Sequence, residues 1–546
     1  MPDRRETRAM KLIGELYRLQ EERGYLHPDD LGALAERLRV PLHRVEEVVS
    51  FYTHFRTEPP AKTEVAICRD LSCHLLECRD YCSKVRGLLS GDGTVDVHEV
   101  SCLGRCEFAP AALVNDVPVG RVSPEELAYY ARAPERLPPA RSVHTRRWRI
   151  DYCGESGQKY SACERYRDGG DDAAAEIIET LKAAGLRGMG GAGFPTGLKW
   201  ELVRKEPATP KYVICNADES EPGAFKDRVI HEELPHLVIE GMCLAALVAG
   251  AKQGYIYVRN EYEPERRAMQ LALDDARARG VLGEHFDVEI FVSPGGYILG
   301  EETALLEALE DRRGEPRNKP PYPGQKGLWG RPTVVNNVET LALVPAILRN
   351  GADWWKAQGV RGHSGLKFIG VSGHVENPGV FEIHMGTTVA ELIERAGGVK
   401  DGKALKAFAP GGASSNFLPA EKADTEIDFE TIADAGSMLG AAALVVMAEG
   451  TDMIKAATNV TRFFRNESCG KCVPCRTGIE KVVAMLDAIM ARAGDGKLRD
   501  ILPTLEETLA ETSICGLGQV ALGPISSALK YWDDELDAYL AKSQGR

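Results

Sequence analysis

The chain has 546 residues, of which 44% are hydrophobic and 27% charged, and its formal net charge is −14. At about 150 residues per domain, this length predicts roughly three to five domains. The acidic balance excludes nucleic acid as a partner, because phosphate binding needs a basic surface. The N-terminus has no apolar targeting segment, and the longest apolar run, residues 438–448, is too short to span a bilayer. We expect a cytoplasmic protein with no membrane partner, whose cysteines are metal ligands or buried thiols.

Residues 1–60 predict a segment of short helices. Asp29 and Asp30 can cap one helix whose leucines recur on one face, and Pro41 opens another. The pattern could pass for a helix-turn-helix. The charge of the segment is close to balanced, however, and the would-be recognition helix carries two glutamates, so DNA binding is disfavoured. We interpret the segment as a packing module.

Residues 61–135 predict a small α/β domain, because short β-like runs alternate with helical ones. Its C-x4-C and C-x3-C pairs are formed by Cys68, Cys73, Cys102 and Cys106. Two thiolates from each of two loops can wrap a 2Fe-2S cluster, which is the cofactor we favour. The same spacing could hold zinc. Cys78 and Cys82 are rival ligands, which we interpret as packing thiols on a helix.

A linker follows at residues 136–172. Residues 173–350 predict an open α/β sheet, since apolar strands alternate with helices there. Four further cysteines in these regions are isolated in the sequence, and we interpret them as small buried hydrophobic residues. They are Cys153, Cys163, Cys215 and Cys243.

The segment Gly188–Gly193 matches the dinucleotide fingerprint G-x-G-x-x-G. That fingerprint needs a preceding strand, whereas the residues before this loop predict a helix, so a standard Rossmann turn is not expected. Phe194, Lys199 and Trp200 follow the loop and place a cation and two aromatic rings beside bare backbone N–H groups. This arrangement suits a flavin nucleotide.

Two acidic segments extend the predicted pocket. Asn216–Gly223 follows an apolar strand directly, so its acids lie at the carboxyl end of a strand, where open α/β sheets bind ligands. Glu301 and Glu302 begin a helix after a glycine-rich loop, where they could accept hydrogen bonds from ribose or amide donors. On position alone they could equally serve to favour the helix N-terminus. The glycine loop and the two acidic segments together favour a binding site.

Residues 364–435 predict a compact β-rich module, and residues 437–546 predict a helical domain with the most informative cysteines of the chain. These are Cys469, Cys472 and Cys475 in a CxxCxxC run, and the distant Cys515. Three thiolates from one tight loop and a fourth from a separate turn can close around a 4Fe-4S cube. Zinc sites more often use two CxxC pairs, and disulfide frameworks belong to short secreted chains, so both are less favoured. The chain is predicted to move single electrons.

These motifs resemble the flavoprotein that carries NADH dehydrogenase activity in respiratory complex I, preceded in the same chain by the small 2Fe-2S protein that is its partner there. The resemblance rests on both cysteine sets and on residues 188–200, 216–228, 300–305, 319–323 and 336–340. It implies an α/β multidomain fold. The expected parts are a helical N-terminus, a thioredoxin-like 2Fe-2S domain, an open α/β flavin-binding domain, a β-grasp (SLBB-like) module and a C-terminal helical bundle with the 4Fe-4S cluster.

The resemblance also implies the residues of two nucleotide sites. The predicted FMN contacts are Gly188, Gly190, Lys199, Asn216, Asp218, Glu219, Asn336 and Asn337. The predicted NAD(H) contacts are Phe194, Glu221, Glu301, Glu302, Lys319 and Tyr322. A flavin interchanges the hydride of NAD(H) with the single electrons of clusters. We therefore expect no acid or base residue, only placement of the two rings, to which Glu221 and Glu302 would contribute.

Two departures point away from the respiratory enzyme. Met189 stands where the respiratory pattern has arginine, and Leu299 stands where it has cysteine. Fused chains of this kind are similar to the diaphorase subunits of NAD-dependent molybdenum or tungsten formate dehydrogenases and of NAD-reducing hydrogenases. On overall similarity we favour a formate dehydrogenase, whose partner would be a large molybdenum- or tungsten-pterin subunit with further iron–sulfur clusters. The alternatives are a hydrogenase diaphorase, the complex I module and a structural adaptor that holds zinc.

Overall fold

The computed structural model describes residues 11–138, 147–153 and 158–541. Its first module contains the helices Leu12–Arg23, Pro28–Leu38 and Leu42–Phe51. Each helix buries one apolar face, and the three faces join a hydrophobic core that is shared with later parts of the chain. The N-terminal segment is thus packed on the rest of the chain, as the sequence predicts.

The first helix donates hydrogen bonds at its N-terminus to a distant residue, and the second has a different cap from the predicted one. Asp311, far along the chain, accepts hydrogen bonds of 2.8 to 3.1 Å from the backbone N–H groups of residues 11–13. His27, rather than Asp29 or Asp30, caps the second helix, and its ring nitrogen accepts from the Asp29 N–H at 3.2 Å. The two aspartates lie in the first turn instead, where a negative charge favours the helix dipole.

The second module is a four-stranded sheet in the order β2-β1-β3-β4. The strands are β1 (Thr63–Cys68), β2 (Val95–Val100), β3 (Ala111–Val114) and β4 (Val117–Gly120). The helices are Leu71–Leu75, Cys78–Leu88 and Pro124–Arg132. β1 and β2 are parallel, so both strands end at the same edge of the sheet. The two pairs of predicted cluster ligands leave the sheet at this edge.

The central module has a parallel four-stranded sheet in the order β7-β6-β5-β8. Its strands are β5 (Tyr212–Ala217), β6 (Gln253–Arg259), β7 (Asp287–Ser293) and β8 (Thr333–Asn337). Its helices are Ser161–Tyr166, Gly170–Ala184, Thr196–Lys205, Lys226–Glu233, Pro235–Ala249, Glu263–Ala278, Glu302–Leu309, Pro323–Lys326, Val338–Asn350 and Ala352–Lys356. β5, β6 and β8 are largely buried, as in sheets covered on both faces.

The fourth module has a five-stranded sheet in the order β10-β9-β13-β11-β12. The strands are β9 (Leu366–Gly373), β10 (Gly379–His384), β11 (Leu405–Ala409), β12 (Leu418–Pro419) and β13 (Ala443–Ala448), with the helices Val389–Arg395 and Phe429–Asp434. The expectation that the chain is helical from residue 437 is wrong at β13. This strand lies between β9 and β11 and is buried throughout, so the sheet closes only with residues beyond the predicted module.

The last module is helical. Its helices are Met453–Glu467, Val473–Met490, Lys497–Thr512, Gly516–Val520 and Gly523–Ala541. The side chain of Asp452 caps the first of them by accepting from the Lys455 N–H at 2.9 Å. Among the described residues, no helix is long and apolar enough to cross a membrane.

Candidate functional site

The glycine loop follows the helix Gly170–Ala184, as predicted, and no strand leads into it. The Met189 N–H donates to the hydroxyl of Thr340 at 2.8 Å, and the Met189 side chain is buried. A side chain on Gly190 would meet Asn337, since its Cβ would come within 2.8 Å of the Asn337 Cβ. At Gly191, φ is +137° and no atom lies closer than 3.9 Å to the position that a Cβ would occupy. One face of the loop is therefore fixed to the protein and the other is bare.

Lys199 and Trp200 lie on the helix after this loop and contact the end of β8. The Lys199 ammonium donates to the Val335 carbonyl at 3.0 Å and lies 4.0 Å from the Glu302 carboxylate. Burial lowers the pKa of Lys199. The indole of Trp200 donates to the Asn336 side-chain oxygen at 2.8 Å. Two of the predicted FMN contacts, Lys199 and Asn336, are thus at the carboxyl edge of the parallel sheet.

The acidic loop after β5 lies at the same edge. The Asn216 amide donates to the Gly300 carbonyl at 2.8 Å, which ties this loop to the start of the Glu301–Glu302 segment. Asp218 accepts from Ser293 at the end of β7, at 3.0 Å, and from Ser220. Burial raises the pKa of Asp218 to about 6. The structure brings the predicted residues of the two acidic segments together.

Glu219 has protein partners for its carboxylate. It accepts from the backbone N–H groups of Asp227 and Arg228 at 2.9 and 3.1 Å, at the start of the helix Lys226–Glu233. The Tyr262 hydroxyl lies 3.2 Å from the same carboxylate. Burial nevertheless raises the pKa of Glu219 to about 8. Glu219 therefore fixes the acidic loop to a helix start, which is a contact that the sequence did not predict.

Glu221 receives three hydrogen bonds from two segments that are distant in the sequence. The Tyr297 hydroxyl donates at 2.7 Å, and Ser414 donates through its N–H at 2.6 Å and its hydroxyl at 3.0 Å. Burial raises the pKa of Glu221 to about 7, although these hydrogen bonds act in the opposite direction. Tyr297 and Ser414 are site residues that sequence reasoning missed. For Tyr297, the adjacent Gly295–Gly296 pair was a usable signal.

Three of the predicted NAD(H) residues, Glu301, Glu302 and Lys319, form a charged cluster. Glu301 caps the helix Glu302–Leu309 by accepting from the Thr303 and Ala304 N–H groups, each at 2.9 Å. The Lys319 ammonium lies 2.8 Å from Glu301 and 2.9 Å from Glu302. Burial lowers the pKa of Lys319, but the two carboxylates outweigh it and raise the pKa above its ordinary value. Glu301 thus favours the helix N-terminus, which is one of the two roles that its position left open, and it also pairs with Lys319.

The two aromatic side chains among the predicted NAD(H) contacts are exposed. Phe194 is 42% exposed and Tyr322 is 57% exposed. Phe194 follows the bare glycine loop, and Tyr322 lies three residues beyond Lys319. Exposed aromatic faces next to charged groups are suited to stack on a flat ring.

A network of buried charged side chains lies next to Asn337. The Asn337 amide donates to Asp227 at 2.6 Å, and its oxygen caps the helix Val338–Asn350. Lys226 lies 2.7 Å from Asp227 and 2.9 Å from Glu339. Lys367 of β9 pairs with the same Glu339. Because every charge has an opposite partner, the network can be buried and fixes Asn337 against the glycine loop.

The four cysteines of the second module converge in a buried group. The Cys102 and Cys106 sulfurs are 3.6 Å apart, and Cys68 lies close enough to Cys73 and Cys102 to interact with both. Three backbone N–H groups point at these sulfurs. They are Gly104 to Cys102 at 3.4 Å, Ala111 to Cys73 at 3.5 Å and Gly223 to Cys106 at 3.3 Å. N–H donors stabilise thiolates, so this donor set fits an iron–sulfur cluster.

Cys78 and Cys82 are buried on the helix Cys78–Leu88. Cys82 packs in an apolar cluster with Val65, Ile67 and Val85. Burial raises the pKa of both thiols above the ordinary value. Cys78 lies in a separate cluster that also contains Cys68 and Cys73. The interpretation of both thiols as packing residues stays a prediction.

The CxxCxxC run spans the start of the helix Val473–Met490: Cys469 lies in the preceding loop and Cys475 in the first turn of the helix. Cys472 occupies the N-cap position of that helix, and Cys515 occupies the N-cap position of Gly516–Val520. The Ser468 hydroxyl lies 3.3 Å from the Cys475 sulfur. Helix N-termini carry partial positive charge, which favours thiolates and the negative charge of a cluster. Val473, between two of the cysteines, is 59% exposed, so this cysteine loop reaches the surface.

In the described part of the chain, no group of three or more His, Cys, Asp or Glu side chains has the spacing that a single metal ion would require. Among the cysteines interpreted as isolated, Cys163 lies beside Cys243, and Cys153 and Cys163 both lie near Glu240. Burial raises the pKa of the Cys153 and Cys163 thiols.

Comparison with known families assigns each module. The Nuo51 FMN-binding domain matches residues 181–346 and the thioredoxin-like 2Fe-2S ferredoxin matches residues 1–132. The iron–sulfur binding region of NADH-ubiquinone oxidoreductase F matches residues 455–539, and the SLBB domain matches residues 368–415. The chain therefore has an FMN-binding domain and domains for one 2Fe-2S and one 4Fe-4S cluster, and the predicted fold class is confirmed.

Individual proteins agree with the domain matches. The F 2 subunit of the NADH-quinone oxidoreductase of Rhizobium meliloti (strain 1021) is 43% identical over 71% of this chain and 93% of its own length. The HndC subunit of the NADP-reducing hydrogenase of Solidesulfovibrio fructosivorans is 41% identical over 67% and 76%. A crystal structure of NAD+-reducing NiFe hydrogenase in the air-oxidized state aligns with a TM-score of 0.88 and 31% identity, over 98% of this chain and 94% of that one. The chain belongs to the family of the F subunits of NADH-quinone oxidoreductases, and it is an NAD(H)-linked electron-transfer oxidoreductase that works through FMN and iron–sulfur clusters.

Proposed function

We propose that FMN lies against the bare face of the glycine loop. Gly188 and Gly190 would allow its close approach, and Lys199 would offer a positive charge to its phosphate. Asn216, Asp218, Asn336 and Asn337 would offer side-chain polar atoms, while Glu219 would hold the loop in place. Bound FMN supplies the interchange of hydride and single electrons. The convergence of these residues at one carboxyl edge of the parallel sheet carries this part of the proposal.

The NAD(H) would enter between the exposed aromatic rings and the charged cluster. Phe194 and Tyr322 would contact a flat ring of the dinucleotide. Glu301, Glu302 and Lys319 would exchange their mutual ion pairs for contacts with its polar groups. Glu221, fixed by three hydrogen bonds, would help to orient the nicotinamide against the flavin. All of these residues act by positioning, and none needs to move a proton.

We further propose that the partner docks at the CxxCxxC loop. Val473 is exposed there, whereas the ligands proposed for the 2Fe-2S cluster, Cys68, Cys73, Cys102 and Cys106, are all buried. Electrons cross short distances only, so a cluster held by Cys469, Cys472, Cys475 and Cys515 is the one that a partner can approach. The buried 2Fe-2S cluster would serve the flavin site from inside the protein. The proposed compartment is the cytoplasm, where thiols stay reduced.

The proposed partner is a large molybdenum- or tungsten-pterin subunit with further iron–sulfur clusters, which oxidises formate and passes the electrons to this chain for NAD reduction. This choice is supported by overall similarity and by the departures at Met189 and Leu299. A hydrogen-oxidising partner is the second candidate. It is favoured by the match to the NAD+-reducing hydrogenase over 98% of this chain.

Purification of the native assembly from its source under anaerobic conditions would test the partner. We expect NADH to form from NAD when formate is added, and molybdenum or tungsten to co-purify. NADH formation with hydrogen and none with formate would transfer the assignment to the hydrogenase candidate. The isolated chain provides a separate test, because it should contain FMN and oxidise NADH with ferricyanide whichever partner it has.

A further inference from the structure

One carboxylate joins three segments that are far apart in the sequence. Glu467 accepts from the Ser101 hydroxyl at 2.5 Å and from the Tyr297 backbone N–H at 2.9 Å. Ser101 immediately precedes Cys102, and Glu467 is the last helical residue before Ser468 and Cys469. The loops of the two predicted clusters are therefore joined by a single hydrogen bond, across 366 residues of sequence.

The second bond of Glu467 reaches the nucleotide site. Tyr297 is held at its N–H by Glu467 and donates its hydroxyl to Glu221. Its ring packs against Phe463 and Phe464, with centroid distances of 5.1 and 6.0 Å, and both belong to the helix that ends at Glu467. The position of Tyr297 thus depends on the same helix end that leads into the CxxCxxC loop.

The two loops that carry the predicted 2Fe-2S ligands make other contacts nearby. The Cys102 N–H donates to Asp70 at 2.8 Å, and the Asn459 amide donates to the Arg69 carbonyl at 2.9 Å. The first contact joins the Cys102 loop to the segment after β1 of the same module, and the second joins that segment to the helix Met453–Glu467. Neither of them touches Tyr297. Among these contacts, only Glu467 connects both cysteine loops with the tyrosine beside Glu221.

We infer that Glu467 is a positioning residue. It keeps the Cys102 loop, the CxxCxxC loop and Tyr297 at fixed distances from one another. This inference rests on the proposed function, because the spacing matters only if electrons pass between these places. Electron transfer slows as the distance between two redox centres grows. Hydride transfer depends more steeply on placement, and a shift of about 1 Å can cost on the order of a hundredfold in its rate. The carboxylate acts here as an acceptor of two hydrogen bonds.

Three variants of the cofactor-loaded full chain separate this role from others. E467A removes both hydrogen bonds. E467Q can keep both, because its amide oxygen can accept from the Tyr297 N–H while its amide group donates to the Ser101 oxygen. S101A removes only the bond between the cysteine loops. Flavin and iron content, and the clusters reduced by dithionite, are measured first for each variant.

The informative measurement is the rate at which NADH reduces the clusters, followed by freeze-quench electron paramagnetic resonance. We expect E467A to lose at least about tenfold in this rate at unchanged cofactor content, S101A to lose less, and E467Q to stay within about threefold of the wild type. A wild-type rate in E467A would overturn the inference. Equal losses in E467Q and E467A would also overturn it, because charge rather than hydrogen bonding would then matter.

The test remains decisive if a variant loads poorly or if the proposed function fails. S101A alone still breaks the link between the cysteine loops.

A wild-type chain that does not oxidise NADH would reject the proposed function. The spacing itself can then be compared in dithionite-reduced samples, where E467A should change the magnetic interaction between the clusters and E467Q should preserve it. Identical spectra for E467A and wild type would reject the positioning role.

Discussion

The hydroxyl of Tyr297 donates a 2.7 Å hydrogen bond to the carboxylate of Glu221. Ser414, from the module that contains the five-stranded sheet, donates to the other oxygen of the same carboxylate. Glu221 is therefore held between the central module and the β-grasp module. This gives the β-grasp module a direct place at the proposed nicotinamide site, although none of its residues was predicted to contact a nucleotide.

Replacement of Tyr297 by phenylalanine should change the pH dependence of NADH oxidation. Burial raises the pKa of Glu221 to about 7, and the Tyr297 hydrogen bond favours the ionised form. Its loss should raise the pKa further, so the limb of the kcat/KM profile that reports Glu221 should move to higher pH. S414A, which removes only the 3.0 Å hydroxyl bond, should give a smaller shift. Coincident profiles for Y297F and wild type would contradict this assignment.

K199E should empty the proposed flavin site. The new carboxylate would lie near Glu302, now 4.0 Å from the Lys199 ammonium, and would repel the flavin phosphate. K205E is the matched control, because Lys205 lies on the same helix but is exposed and pairs with Glu201. FMN released by denaturation is the measurement. Wild-type FMN content in K199E would remove Lys199 from the site.

C472S should remove the 4Fe-4S cluster while the oxidation of NADH by ferricyanide stays near the wild-type level. Cys472 caps the helix whose first turn contains Cys475, and it is one of the four predicted ligands, so loss of its thiolate should open the cube. A small acceptor can reach the flavin directly, whereas electron exchange with the partner should fail. V473S, at an exposed neighbouring position, controls for disturbance of the loop. Unchanged iron content in C472S would show that the ligand set is wrong.

The double variant C78A/C82A should keep the paramagnetic signal of the 2Fe-2S cluster, whereas C102S should lose it. The sulfurs of Cys102 and Cys106 are 3.6 Å apart and receive backbone N–H groups, while Cys82 packs among aliphatic side chains. The double variant is expected to lose only packing free energy, because it deletes two buried sulfurs. Signal loss in it at normal protein yield would make these thiols ligands after all.

Spacing along the sequence predicted the cysteine sets and the order of the modules, because such signals are local. Cys469, Cys472 and Cys475 lie in one short segment at the start of a helix, and the parallel strands coincide with apolar runs in the sequence. Contacts between distant segments left no such signal. Ser414 lies 193 residues from Glu221, and Glu467 lies 366 residues from Ser101. Their roles depend on how the modules pack against each other.

Two local predictions, the helical start of the last module and the cap of the second helix, were wrong because the local sequence allowed more than one structure. The apolar run that contains Ala443–Ala448 could form a strand or a buried helix, and periodicity does not separate these for short runs. These residues form a strand because they pair with both β9 and β11. At the second helix, Asp29 was a better capping residue by type than His27. The chain nevertheless begins that helix at Pro28, which favours the first helical position and leaves His27 as the cap.

Replacement of His231 by leucine should reduce the acid sensitivity of the fold. His231 is buried in the helix Lys226–Glu233, and neither ring nitrogen has a hydrogen-bond partner in the described part of the chain. Burial lowers its pKa to about 4. As the pH falls from about 6.5 to about 4, the unfolded chain takes up a proton that the folded chain does not. Stability is therefore lost in that window, by on the order of 3 kcal/mol.

The leucine side chain cannot take up this proton, so the apparent unfolding temperature of H231L should fall less than that of wild type between pH 7.5 and pH 5. At pH 7.5 the variant should be at least as stable, because a buried polar group without a partner costs about 1 to 3 kcal/mol. H285L is the matched control, since His285 is exposed. Calorimetric scans of the holo chain at both pH values provide the comparison. Parallel pH dependences in H231L and wild type would show that His231 is not the group that titrates.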